Sequence, residues 1–348
     1  MRRPEGQRRH LASDNWSGVH PDVLAAIAAV NEGHVPSYGG DVHTAAATDK
    51  IREAFGEDVH VFFVFGGTAA NVLGLQTLAL PFNTVICADS AHIYTSECGA
   101  AEKHVGCKLS PVPTSDGKID RAGISMHLHG FGNDHSVQPS AVSISQATEY
   151  GTVYSPDEVR VISSFVHDHG LRLHMDGARL ANAAAHLGVS LREITGDAGV
   201  DVLSFGGTKN GMIAGEAVVF FDAALADDFV YRRMQGMQLS SKMRFIAAQF
   251  DALMTNGLWL RNSSHSNSMA ARLGAGLSRL PGCRVTQLIQ ANEVFAILPR
   301  EHIAALQAVS QFHVWDEEIS EARFVCSFDT SEEDIDHFLA EAERLLGH

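Results

Sequence analysis

The chain has 348 residues, 45% hydrophobic and 19% charged, an ordinary globular make-up with apolar residues enough for a large core. Lys plus Arg number 26 against 41 Asp plus Glu, and this formal net charge of −15 argues against a general binder of nucleic acid or anionic membrane. No stretch approaches the run of about 18 apolar residues that spans a bilayer, and five scattered cysteines (87, 98, 107, 283 and 326) form no CxxC pair, which points to reduced thiols in a cytoplasmic protein.

The first nine residues, MRRPEGQRR, are basic, but no apolar segment follows, so they read as a frayed tail rather than a secretory signal. VHVFFVF (59–65) reads as a strand or as an apolar run leading into a turn, and TVICAD (84–89) and AVSISQAT (141–148) predict strands. SPDEVRVISSFVHDHG (155–170) predicts a helix, with Ser155 as N-cap, Pro156 at the first helical position, Glu158 completing a capping box and Gly170 as the stop. LRLHMD (171–176) and VDVLSF (200–205) predict strands around a helix at 178–188. This β-α-β rhythm indicates an α/β fold with a mostly parallel sheet. The short glycine-rich link from VDVLSF to EAVVFF (216–221) predicts an antiparallel excursion at that point. Beyond residue 225, segments 222–255 and 263–280 predict long helices. RVTQ, EVFAIL (293–298) and ARFVCSF (322–328) predict strands, and 331–346 a last helix. The expected division is a large unit over 20–255 and a smaller α+β unit made of 1–19 and 256–348.

Four strand ends carry residues with chemical use. GGT at 66–68 opens a helix, and backbone N–H groups at a helix start favour an anion. His92 follows the strand 84–89, with Glu97 five residues on, and Glu149 follows the strand 141–148. Arg172, His174 and Asp176 share one strand face, which puts Asp176 at the carboxyl end, where α/β sheets bind ligands, and Arg179 at the next helix start. Lys209 sits in the turn SFGGTKNG (204–211). Taken singly, each is an ordinary helix entry, capping residue or surface charge. Together, an anion nest, an imidazole, an Asp with an Arg, and a Lys are the set that pyridoxal phosphate requires.

With SDN (13–15), PSYGGD (36–41), GGTAAN (66–71), AHIYTSECGA (91–100), HMDGAR (174–179) and SFGGTKNG in this order, the chain resembles the threonine aldolase family of fold-type-I pyridoxal phosphate lyases over nearly its whole length. It is most similar to the low-specificity L-threonine aldolase branch with QATE, which includes phenylserine aldolase. The resemblance implies a large domain with a mostly parallel seven-stranded sheet and a small C-terminal α+β domain. It implies retro-aldol cleavage of threonine, allo-threonine or phenylserine to glycine and an aldehyde. Lys209 would form the Schiff base, Asp176 would bind the pyridinium nitrogen, His92 would stack on the ring near the β-hydroxyl, and Gly67 and Thr68 would hold the phosphate. Arg179 would pair with the substrate carboxylate, helped by Ser13 and Arg323. Tyr38, Lys242 and Arg244 would reach the cofactor from a neighbouring subunit of a homo-oligomer built from dimers, a tetramer. Many family members have a histidine in the turn where this chain has Glu149, which leaves open which group takes the hydroxyl proton; His92, with a water held by Glu149, is the expected base. β-Elimination or transamination by the same cofactor is the alternative outcome.

The loop MHLHGFGNDH (126–135) has three histidines but no carboxylate frame, so no metal is expected there. Cys98 has no histidine partner in prospect and reads as a buried thiol.

Overall fold

The computed structural model describes residues 9–347, so the basic N-terminal tail, Arg9 apart, lies outside the described residues. Seven strands form one sheet: β1 (His60–Val64), β2 (Asn83–Ala88), β3 (Lys108–Val112), β4 (Gln138–Ser145), β5 (Arg172–Gly177), β6 (Val202–Gly206) and β7 (Glu216–Phe220). Their order is β1-β7-β6-β5-β4-β2-β3, and β7 runs against the other six described strands. The β6–β7 pair is the antiparallel excursion expected from the glycine-rich link. Strands β2, β6 and β7 are buried along their whole length, as a sheet covered on both faces requires. All six co-directional strands finish on one edge, and the loops carrying GGT, His92, Glu149, Asp176 with Arg179, and Lys209 leave from it.

The structure corrects the expected extents in four places. β4 ends at Ser145, because the Gln146 side chain pairs with Tyr154 as a peptide group would, donating to its carbonyl at 2.8 Å and accepting its N–H at 3.1 Å. That clasp closes the loop 146–154 and turns Glu149 inward. The continuous helix expected over 222–255 is broken into Ala223–Ala226, Phe229–Gln235 and Arg244–Met254. Gly236 ends the middle piece and packs so close to the helix Gly67–Leu75 that a Cβ there would sit 2.7 Å from Leu73, while Gln238 Oε1 accepts the Phe65 N–H at 3.0 Å. The helix expected over 263–280 runs instead from Leu258 to Leu277. β3 is a strand that periodicity did not reveal; its Pro111 is tolerated because β3 is the sheet edge. The capping box at Ser155 and Glu158 is present.

A second sheet, of order β10-β11-β9-β8, joins β8 (Arg284–Val285), β9 (Glu293–Ile297), β10 (His313–Asp316) and β11 (Glu321–Val325), all antiparallel. The helices Leu258–Leu277 and Glu332–Leu346 pack against each other beside it. One apolar cluster surrounds the large sheet and a second holds β9, β11 and these helices. Leu11 belongs to the second: its N–H donates to the Gln311 carbonyl at 3.0 Å and its carbonyl accepts the Val325 N–H at 2.8 Å. The first cluster also takes in Leu258 and Ala291.

Candidate active site

β1 ends at Val64, and the helix Gly67–Leu75 starts with Gly66 as N-cap and no side-chain capping hydrogen bond. The leading N–H groups of such a helix have no partner within it. A Cβ built on Gly66 or Gly67 meets no atom within 4 Å. The backbone lies bare on a cleft of about 590 Å³, lined also by Thr68 and, opposite, by Gly236 and Gln238. Exposed donors at the positive end of a helix dipole suit an anion.

Asp176 stands at the carboxyl end of β5, one residue before its last, and is buried. Its Oδ1 accepts the Ala178 N–H at 3.0 Å and its Oδ2 accepts Asn71 Nδ2 at 2.8 Å. Two residues back on the same face, His174 is fully buried between Ser143 Oγ at 2.9 Å and Ser204 Oγ at 3.1 Å. Burial lowers its pKa and keeps it neutral, so it serves as a spacer between strands rather than an acid or base.

His92 begins a short helix after β2, and its Nδ1 lies 2.8 Å from Glu97 Oε1. The hydrogen bond to Glu97 raises the imidazole pKa; burial opposes this and the Asp176 charge reinforces it. Asn71 Nδ2 also donates to Glu97 Oε1, at 2.9 Å. Glu149 reaches the same place from the loop after β4, where one oxygen accepts the His92 N–H at 2.8 Å and the Ser145 hydroxyl at 2.6 Å. Burial pushes the Glu149 carboxyl up to about 7, against the Ser145 hydrogen bond and with help from Asp176.

Lys209 lies in the 3-10 turn Thr208–Asn210 and makes no hydrogen bond or ion pair among the described residues. The turn is pinned from β7: Glu216 accepts the Gly207 N–H at 2.9 Å and the Thr208 hydroxyl at 2.8 Å. Burial lifts the Glu216 carboxyl to about 7, opposed by those two bonds. A Cβ on Gly206 would fall 2.7 Å from the Ala178 backbone, so glycine is what lets the lysine turn pack on the Asp-Gly-Ala-Arg turn. The charge of Lys209 is felt by His92, Glu216 and Asp14, which places it among them.

Arg179 is not a free clamp. Its Nε and Nη2 bond the two oxygens of Asp14 at 2.8 and 3.0 Å, and Nη1 stands 3.5 Å from Glu293 Oε1. Burial alone would lower the guanidinium pKa; Asp14 and Glu293 outweigh it and raise it. Burial likewise drives Asp14 up, but Arg179, Lys209 and the bond from Asn292 hold it below the carboxylate range. Arg323 adds a second guanidinium 3.9 Å from Glu293, lying over the Trp315 ring with its Nε unbonded. Ser13 stands beside Asp14 and its hydroxyl oxygen accepts the Asn15 N–H.

Lys209, His92, Asp176, Glu149, Gly67, Thr68, Arg179 and Arg323 thus border one edge of the large sheet. Tyr38, Lys242 and Arg244 do not join them. The Tyr38 N–H donates to the Ser241 carbonyl, Arg244 bonds the carbonyls of Glu32 and Gly33, and Lys242 and Arg244 line a separate cleft of about 410 Å³. Asn71, Asp14, Glu216 and Glu293 were not singled out by sequence. One signal was available: Asn71 is the polar residue in the apolar run AANVLGL.

Pyridoxal phosphate fits this set. The bare glycine cradle takes a phosphate, the Asp176 carboxylate keeps lone pairs for a ring N–H, and the unbonded Lys209 amine is available to a carbonyl. A protein-family model for β-eliminating lyases matches residues 10–299. The low specificity L-threonine aldolase of Pseudomonas sp. (strain NCIMB 10558) is 42% identical over 98% of this chain and 99% of its own. The enzyme of that name from Pseudomonas aeruginosa is 44% identical over 97% of this chain and 98% of its own. The solved threonine aldolase of Leishmania major superposes with a TM-score of 0.92 at 33% identity, covering 96% of this chain and 98% of that one. The chain therefore belongs to the β-eliminating lyase family, alongside the threonine aldolases, and is a pyridoxal phosphate-dependent lyase of fold type I.

Proposed function

We propose that the protein cleaves L-β-hydroxy-α-amino acids, threonine, allo-threonine and phenylserine among them, to glycine and an aldehyde. The observation that carries this reading is the meeting of an unbonded Lys209, Asp176 and the His92–Glu97 pair on the strand edge that also presents the bare glycine cradle. Relatives named for low specificity on L-threonine, similar over nearly their whole length, supply the substrate class.

Lys209 Nζ would hold the cofactor covalently, with its phosphate at Gly67 and Thr68 and its ring nitrogen at Asp176. When bound, pyridoxal phosphate supplies the electron sink for the Cα–Cβ bond. Arg179 Nη1, Arg323 and the Ser13 hydroxyl hydrogen hold the substrate carboxylate. With Nδ1 taken by Glu97, His92 presents Nε2, which accepts the β-hydroxyl proton as the bond breaks, a general-base contribution of about 10²–10⁴-fold. Among the described residues Glu149 Oε2 has no hydrogen-bond partner, and it would hold a water beside His92. Tyr38, Lys242 and Arg244 complete the site of a neighbouring copy in a cytoplasmic homo-oligomer built from dimers.

The test is the near-ultraviolet and visible spectrum of the purified protein before and after L-threonine or L-phenylserine, with glycine and aldehyde assayed together. A cofactor band with both products in equal amounts is expected. Pyruvate with ammonia would mean elimination instead, a keto acid would mean transamination, and no band after adding pyridoxal phosphate would overturn the role of Lys209.

A further inference from the structure

The helix Gly67–Leu75 buries Ala70, Val72, Leu73 and Leu75, and Asn71 is the polar exception among them, 2% exposed. A buried amide is costly unless its hydrogen bonds are made. Asn71 commits both hydrogens of Nδ2 to carboxylates, one to Glu97 Oε1 at 2.9 Å and one to Asp176 Oδ2 at 2.8 Å. The Glu97 side chain is fully buried, and its Oε1 is the same oxygen that lies 2.8 Å from His92 Nδ1. A continuous line therefore runs from His92 through Glu97 and Asn71 to Asp176, and no other side chain is interposed.

Two buried carboxylates repel each other, and each must be oriented by donors. A neutral amide NH2 offers two hydrogens from one planar nitrogen. A lysine would bring a charge, a hydroxyl has one hydrogen, and an aspartate would insert a third carboxylate. We propose that Asn71 is a positioning residue that clamps Asp176 to Glu97, so that the partner of the cofactor ring and the partner of His92 are set as one unit. The proposal rests on the roles given above to Asp176 and His92. The clamp leaves Asp176 lone pairs for the ring N–H. It holds Glu97 so that the proton of His92 stays on Nδ1 and Nε2 is the nitrogen presented to substrate. The charged groups facing His92 are Glu97 and Asp176, Lys209 from the opposite turn, and Glu149 at its backbone N–H.

The experiment compares Asn71→Ala, Glu97→Gln and their double variant with the wild type. One readout is the NMR titration of the His92 ring in cofactor-free protein, its signals assigned by their loss in His92→Phe. The other is the affinity for pyridoxal phosphate, followed by absorbance. Glu97→Gln should lower the His92 titration by about one pH unit or more, because a carboxylate partner is lost. Asn71→Ala should raise it, because Glu97 Oε1 then bonds His92 alone, and should weaken cofactor binding roughly tenfold or more through the lost bond to Asp176. In the double variant the upward shift should vanish. A merely structural Asn71 would loosen the site and lower the titration in both single variants, and that outcome would overturn the clamp, as would an Asn71→Ala protein with wild-type titration and affinity. If Asn71→Ala does not fold, Asn71→Leu, closer in volume, carries the same test. Absence of any cofactor band in the wild type would sink the reading of Lys209 and Asp176, while the titration in cofactor-free protein would still decide the clamp.

Discussion

Glu149 ties the His92 backbone to Ser145 at the end of β4. Its carboxyl is lifted by burial from 4.5 to about 7. Between those values the folded chain keeps a proton that the unfolded chain has released. Stability from this group is therefore complete below the lower value and is lost as pH rises through the upper one. Glu149→Gln cannot lose that proton, and its amide oxygen can still accept from His92 and Ser145. Melting temperatures of the cofactor-free protein between about pH 5 and pH 8 should therefore fall less steeply in the variant than in the wild type. The slope should shrink rather than disappear, since Glu216 is lifted in the same direction and remains. An unchanged slope would mean that Glu149 is ionised throughout.

At the scale of elements, glycines at neighbouring strand ends have opposite tasks. Gly206 lets two turns touch: its Cβ would lie 2.7 Å from Ala178 Cα and from the Ala178 carbonyl oxygen, both backbone atoms that cannot swing aside. Gly206→Ala should cost about 1–3 kcal/mol of stability and displace Lys209, read as a lower melting temperature and lost cofactor. Gly67 keeps space open, with nothing within 4 Å of its Cβ position. Gly67→Ala should melt no lower than the wild type, since alanine favours helix, yet bind pyridoxal phosphate more weakly because the methyl enters the cradle. Equal affinity in both proteins would place the phosphate elsewhere. Turns such as these were legible in the sequence, because glycine, strand period and capping residues act over a few positions. So were the Ser155–Glu158 box and the β6–β7 reversal. The break at Gly236 was less so: apolar spacing favoured one helix over 222–255, and the contact with Leu73 that interrupts it comes from far along the chain.

The same limit operates on the whole molecule. Candidate residues at strand ends could be found one motif at a time. The groups that orient them could not, because each is defined by a partner 105 residues away for Asn71 and Asp176, 165 for Arg179 and Asp14, and 278 for Asn292 and Asp14. The lone polar Asn71 in its apolar run is a local hint of a buried partner, but it does not say which partner. The separate cleft that Lys242 and Arg244 line has its own whole-molecule consequence, if these residues serve a neighbouring copy. Lys209→Ala and Arg244→Ala, each inactive alone, should regain about a quarter of wild-type activity when unfolded together and reassembled, because half the pairs carry one intact site of two. No recovery would mean that each copy works alone.

The N-terminal arm deserves the caution of anyone trimming the chain for expression. Leu11 is stitched to Gln311 and Val325, and three residues later Asp14 occupies two nitrogens of Arg179. Cutting before Asn15 would look like the removal of a loose end. It would strip a buried arginine of its carboxylate and detach a strap from the small sheet. The shortened protein should still show the cofactor band, because Lys209, Asp176 and the glycine cradle are untouched, yet need far more amino acid to saturate. A vector designed with its tag at the other end, after His348, leaves that strap in place.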